Sequence, residues 1–227
     1  MIEPFETPAA LAQAAAGATV QALQAGIAAR GRGRLVATGG RAPGPVYDLL
    51  PSADLDWGLV DVTLSDERFV PLDHPASNAG LVRTRLLRGA AAAAHFIPLW
   101  HPASDAMACA DLAEAEVAAL APFDMTLLGM GLDGHVASLI PGADGLAAAM
   151  AADSGRFCRG LNEAIGDPPL PRITLTLAAL LQSKAILILI SGAEKRHVFN
   201  QALAGADLPV GALLTQTRVP VRVFWTP

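Results

Sequence analysis

Apolar and polar positions along this chain follow two alternating rhythms. Residues 8–30 are alanine-rich, with apolar side chains at helical spacing, and predict an opening helix. Residues 34–37 predict a short strand, followed by the breaker cluster Thr38-Gly39-Gly40-Arg41-Ala42-Pro43. Residues 45–50 read as helix and 59–64 as a second strand, which ends in Ser65-Asp66-Glu67-Arg68. After a proline-rich loop, Ser77-Asn78 opens a helix to Leu87, and residues 105–120 form another with acidic positions on one side. The apolar run 125–128 predicts a buried strand ending in a glycine loop. Residues 172–177 read as extended, leading into a short helix at 178–182. Residues 185–190 are continuously apolar, the pattern of a central parallel strand covered on both faces. A helix at 193–204 and a strand at 219–225 close the chain, whereas residues 141–171 carry no readable period.

Strands alternating with helices predict an α/β fold: one doubly wound, mainly parallel sheet with helices on both faces, as a single domain over residues 1–227. In such a sheet the carboxyl ends of the strands share one edge. Thr38-Gly39-Gly40, Asp66-Glu67-Arg68, the segment Gly129 to His135, and Ser191-Gly192 each follow a predicted strand. They are therefore expected to converge on one crevice.

Composition narrows the picture. The formal net charge of −5 argues against sequence-independent nucleic-acid binding, which needs a basic face, but leaves room for an anionic small molecule held by local cations. Cys109 and Cys158 show neither metal-type spacing nor a disulfide framework. The first residues lack a basic segment followed by an apolar one, and the most apolar run is too short to span a bilayer. The expectation is a cytoplasmic protein with no membrane partner.

The candidate chemistry concentrates in Gly129-Met-Gly131-Leu-Asp133-Gly134-His135. An imidazole beside a carboxylate at a strand end suits a general base working near neutrality. The glycines also match the G-x-G-x-x-G pattern of dinucleotide binding, but Pro141-Gly142 interrupts the helix that motif should open. Asp133 and His135 offer only two metal ligands, too few for a site, so no metal is expected. The loop at residues 38–43 lies between strand and helix, where backbone N–H groups can cradle an anion. Arg172 and Lys195, each beside a break, are candidate fixed cations.

These residues resemble one family. Ser65-Asp66-Glu67-Arg68-Phe-Val-Pro71, then Ser77-Asn78, then Leu86-Leu87 is similar to the D-E-R-x-V-P, S-N and L-L signature of 6-phosphogluconolactonases. The run from Leu127 to Gly142 resembles that family's L-L-G-M-G-x-D-G-H-T-A-S-L-F-P-G. Pro171-Arg172-Ile-Thr-Leu-Thr176 and Gly192-Ala-Glu-Lys195 match its R-I-T-L-T and G-x-x-K elements. Three departures stand out: Arg41 and Ala42 occupy hydroxyl positions of an S-G-G-S-T-P loop, Val136 replaces a threonine, and Ile140 a phenylalanine.

The resemblance implies a Rossmann-like fold of the sugar-phosphate isomerase and deaminase superfamily. It also implies hydrolysis of 6-phospho-D-glucono-1,5-lactone to 6-phospho-D-gluconate in the oxidative pentose phosphate pathway, with no organic cofactor. On that reading His135 is the general base, supported by Asp133 and Asp66, with Arg68 stabilising the developing oxyanion. Gly39, Gly40, Arg41, Asn78, Gly131, Arg172 and Lys195 would bind the phosphosugar lactone, in a monomer or weak homodimer. An amino-sugar-phosphate deaminase would instead read D-E-Y and carry a glutamate shortly after the histidine, where this chain has Ser138-Leu-Ile-Pro141. A non-catalytic sugar-phosphate sensor would need neither His135 nor Arg68.

Overall fold

A computed structural model describes residues 2–227. Ten strands appear: β1 (Ile2–Pro4), β2 (Gly33–Ala37), β3 (Val60–Leu64), β4 (Asp66–Arg68), β5 (His95–Phe96), β6 (Met125–Gly129), β7 (Cys158–Ile165), β8 (Leu170–Leu175), β9 (Ile186–Ser191) and β10 (Val221–Thr226). Eight α-helices join them: α1 (Pro8–Arg30), α2 (Gly44–Leu49), α3 (Asn78–Arg85), α4 (Ala106–Ala118), α5 (Leu146–Ala149), α6 (Leu177–Leu180), α7 (Ala193–Leu203) and α8 (Pro209–Thr215).

The ends of α1 follow from its sequence. The Thr7 hydroxyl accepts the Ala10 N–H at 3.1 Å, Pro8 opens the first turn, and Gly31 takes the left-handed conformation that terminates it.

Seven strands form one parallel sheet in the order β1-β10-β9-β6-β2-β3-β5. The chain winds outward from β2 through β3 to β5, then returns to the other side of β2 with β6. The switch point therefore lies between β2 and β6, and their carboxyl ends open the crevice where α/β folds bind ligands. The strands β3, β6 and β9 are almost wholly buried, β3 despite its Asp61 and Thr63. The apolar runs of β6 and β9 therefore read correctly as buried strands.

The remaining strands depart from a simple alternation. β4, β8 and β7 form a separate antiparallel sheet in that order. The extended segment around Arg172 thus belongs to this small sheet, and Asp66-Glu67-Arg68, read as the loop ending a strand, is itself a strand. Ser65 is the one-residue joint between the sheets. Its N–H donates to the Ala37 carbonyl of β2 at 2.7 Å, and its carbonyl accepts the Leu175 N–H of β8 at 2.8 Å. The stretch without readable period contains β7, whose solvent-facing half breaks the alternation. The short edge strands β1 and β5, and helix α8, also have no counterpart in the predicted elements. No helix among the described residues is long and apolar enough to cross a membrane.

Candidate active site

The crevice between the two sheets is a cleft of ≈ 380 Å³. Ten of the sequence-predicted site residues line it: Gly39, Gly40, Arg41, Asp66, Arg68, Asn78, Gly131, His135, Arg172 and Lys195. The eleventh, Asp133, stands behind the histidine. The other four histidines lie outside the cleft. A larger groove of ≈ 760 Å³ beside α3 contains His74 and none of these eleven residues.

His135 is fixed by its own loop. The Asp133 carboxylate accepts the His135 backbone N–H at 3.2 Å and pairs with ring Nδ1 at 2.6 Å, so Asp133 orients both loop and imidazole. With Nδ1–H given to the carboxylate, Nε2 is the ring's basic nitrogen. The His135 carbonyl accepts the Gly131 N–H at 2.9 Å, which closes the loop. Glycine is required at 131 because a Cβ there would land on the His135 ring and the Asp133 carboxylate. Burial pushes the Asp133 carboxyl up. The hydrogen bond and charge of His135 and the backbone N–H groups outweigh this, and hold it below the ordinary carboxylate value.

Next to His135 the backbone is strained. Ala137 has φ of 51°, the one non-glycine among the described residues in the left-handed region, and it lines the cleft.

The small sheet supplies two arginines. Arg68 donates from Nη1 to the Ala76 carbonyl at 2.7 Å, and its Nε is buried without a protein partner. It forms no ion pair with Asp66 or Glu67. Arg172, only 4% exposed, donates from Nε to the Ile165 carbonyl and from Nη2 to the Pro168 carbonyl, both at 2.9 Å. Its Nη1 stands 4.0 Å from Asp66 Oδ2. Arg172 is therefore a fixed cation with two edges committed to the scaffold, and Asp66 partly balances its charge. Asp66 is itself buried and accepts hydroxyl bonds from Ser65 at 2.8 Å and Ser138 at 2.7 Å.

Glu67 points the other way. Its fully buried carboxylate accepts from the backbone N–H groups of Arg68, Asn78 and Ala79 and from the Ser77 hydroxyl, at 2.7 to 2.9 Å. Burial pushes this carboxyl up, and the four donors hold back part of the rise. The effect is to clamp the start of α3 onto β4. Asn78 then donates from Nδ2 to the Asp66 carbonyl at 2.8 Å and packs against Gly39, where a Cβ would overlap its amide.

A second group of lining residues is cationic. The buried Tyr47 hydroxyl bonds both the N–H and the carbonyl of Thr38 at 2.7 Å, which anchors the loop carrying Gly39, Gly40 and Arg41. Lys195 sits in the first turn of α7, where the helix dipole disfavours a cation. Burial, and then the charge of Arg41, push its ammonium below the ordinary lysine value. Among the described residues neither Lys195 nor Arg41 forms an ion pair. Two cations without carboxylate partners beside glycine-rich backbone make this lining chemically suited to an anion. No cluster of three or more His, Cys, Asp or Glu side chains arranged to hold a metal occurs among the described residues.

Sequence reasoning assigned no role to Tyr47, Ala137 or Ser138. Their side chains are apolar or weakly polar, and only the folded chain, which brings Tyr47 to Thr38 and Ser138 to Asp66, gives them roles.

The model of the family described as glucosamine-6-phosphate isomerases/6-phosphogluconolactonase matches residues 6–225. The chain belongs to this family. It is 42% identical over 224 residues to a 6-phosphogluconolactonase of Caulobacter vibrioides, covering 99% of this chain and 96% of that one. A 6-phosphogluconolactonase of Rhizobium meliloti is 40% identical over 228 residues, covering 98% and 97%. Among solved structures, a 6-phosphogluconolactonase from Shewanella baltica superposes with a TM-score of 0.95 at 38% identity, over 100% of this chain and 97% of that one.

Proposed function

We propose that this enzyme hydrolyses 6-phospho-D-glucono-1,5-lactone to 6-phospho-D-gluconate. Family membership and end-to-end likeness to 6-phosphogluconolactonases support that activity in general. The observation that carries the finer reading is a single cleft lined both by an Asp133-held imidazole and by the unpaired cations Lys195 and Arg41.

The phosphate rests against Lys195, Arg41 and the backbone of Gly39 and Gly40. Binding this remote dianion aligns the lactone carbonyl beside His135. Nε2 of His135 removes a proton from a water as its oxygen attacks that carbonyl. The tetrahedral oxyanion faces Arg68, and Asp66 keeps Arg172 in place beside it. Collapse breaks the bond to the ring oxygen, which takes the proton from His135. The new carboxylic acid then ionises and releases one proton per turnover. A deaminase reading is disfavoured because the place of its glutamate is filled by Ser138-Leu-Ile-Pro141, with Ser138 buried against Asp66.

The test is proton release from freshly generated lactone, corrected for spontaneous hydrolysis. Wild type is expected to turn over, and His135→Ala to lose about 10²–10⁴-fold in kcat, the usual contribution of a positioned acid–base group. Near-normal turnover by His135→Ala would remove the histidine from the mechanism. No turnover by folded wild type would remove the activity itself.

A further inference from the structure

We propose that Ser138 is a positioning residue: its buried hydroxyl registers the His135 loop of the large sheet against the Asp66–Arg172 pair of the small one. The inference rests on the lactonase reading of the cleft, and it concerns how the two halves of that cleft are kept in alignment.

Ser138 is completely buried. Its hydroxyl has one hydrogen, which it donates to Asp66 Oδ2 at 2.7 Å, and a lone pair of the same oxygen faces Arg172 Nη1 at 3.5 Å. Asp66 and Arg172 themselves are 4.0 Å apart, so the serine oxygen bridges a loose ion pair. The Ser138 backbone N–H is also committed to the small sheet, donating to Thr174 Oγ1 of β8 at 3.1 Å. Two bonds from one residue thus cross from the β6 loop to two different strands.

The neighbouring residue is the strained Ala137, held at φ of 51°. A side chain in that region persists only where its surroundings over-determine it. The closure of His135 onto Gly131 fixes one flank, and the Ser138 bonds fix the other. His135 therefore reaches the cleft from a segment pinned at both ends.

Replacing Ser138 with Ala removes the bridge and one pin while leaving His135, Lys195 and Arg41 untouched. Misplacement of a reacting group by about 1 Å costs on the order of 10²-fold, so a partial loosening is expected to lower kcat about tenfold. Affinity for 6-phosphogluconate, measured by calorimetry, should stay within about twofold, because the phosphate-facing Lys195 and Arg41 do not depend on this bond. An Asp66→Asn cycle provides the second reading. Coupling requires the double variant to lose much less than the product of the two single losses.

The proposal is overturned by a Ser138→Ala enzyme with wild-type kcat, by a parallel fall of kcat and product affinity, or by independent effects in the cycle. Inactivity of wild type would instead overturn the lactonase reading. Should Ser138→Ala fail to fold, Ser138→Cys carries the same measurements, with a smaller expected loss because a thiol still donates weakly.

Discussion

Two groups of cleft residues solve opposite problems. Around His135 the polar groups are tied to one another: ring to Asp133, loop to Gly131, Ser138 to Asp66 and Thr174. The cations Lys195 and Arg41 are left without carboxylate partners, and one stands at the positive terminus of a helix. A saturated network holds geometry, which suits a bond-making step. Unbalanced charge holds potential, which suits capture of a dianion. Substitutions in the first group are expected to act on turnover and in the second on affinity.

The strongest way to break that division is Gly131→Ala. The new methyl group would displace the imidazole without touching Lys195 or Arg41, so kcat is expected to fall about 100-fold with the phosphogluconate dissociation constant nearly unchanged. Steady-state kinetics beside calorimetry checks it, and a matching loss of affinity would merge the two groups into one.

Lys195→Ala should act in the reverse sense. A charge-assisted hydrogen bond contributes about 1.5–3 kcal/mol, so KM should rise about tenfold or more while kcat at saturation changes little. A fall confined to kcat would place Lys195 with the chemistry.

The smallest effect is a pH dependence. Because burial and Arg41 lower the Lys195 pKa, the ammonium is lost at a pH below the ordinary lysine range. Affinity for the stable product should therefore weaken by a few-fold as pH rises toward that range, since the neutral amine no longer balances the phosphate. Arg41→Ala removes one of the two causes and should move the weakening to higher pH. Titration of product binding across alkaline pH reads both, and an unchanged profile in Arg41→Ala would deny the coupling.

How much of this was legible beforehand depended on the kind of strand. The runs at residues 125–128 and 185–190 announce themselves because a strand covered on both faces is apolar at nearly every position, Thr126 being the exception. The loops that follow them could be assigned to one edge from topology alone, and ten of the eleven named residues do line one cleft. β4 was illegible for the same physical reason that it matters. Asp66, Glu67 and Arg68 look like a solvated turn, and only the hydroxyl and backbone donors that satisfy the carboxylates allow them to be buried. β7 has an exposed half whose side chains follow no period, and β5 has two residues, too few to show one. Ser138 was passed over because a serine three residues after a histidine has no distinguishing pattern. Its role depends on Asp66, seventy-two positions earlier, which only the docking of the second sheet brings near.

The pleat of β4 has a genetic corollary. Asp66 and Arg68 face the cleft, and Glu67 between them is turned to the start of α3. Adding or deleting one codon just before this strand would exchange those addresses, aiming the wrong carboxylate at the substrate and stranding a guanidinium beneath a helix. Frame length at this joint should therefore tolerate no drift.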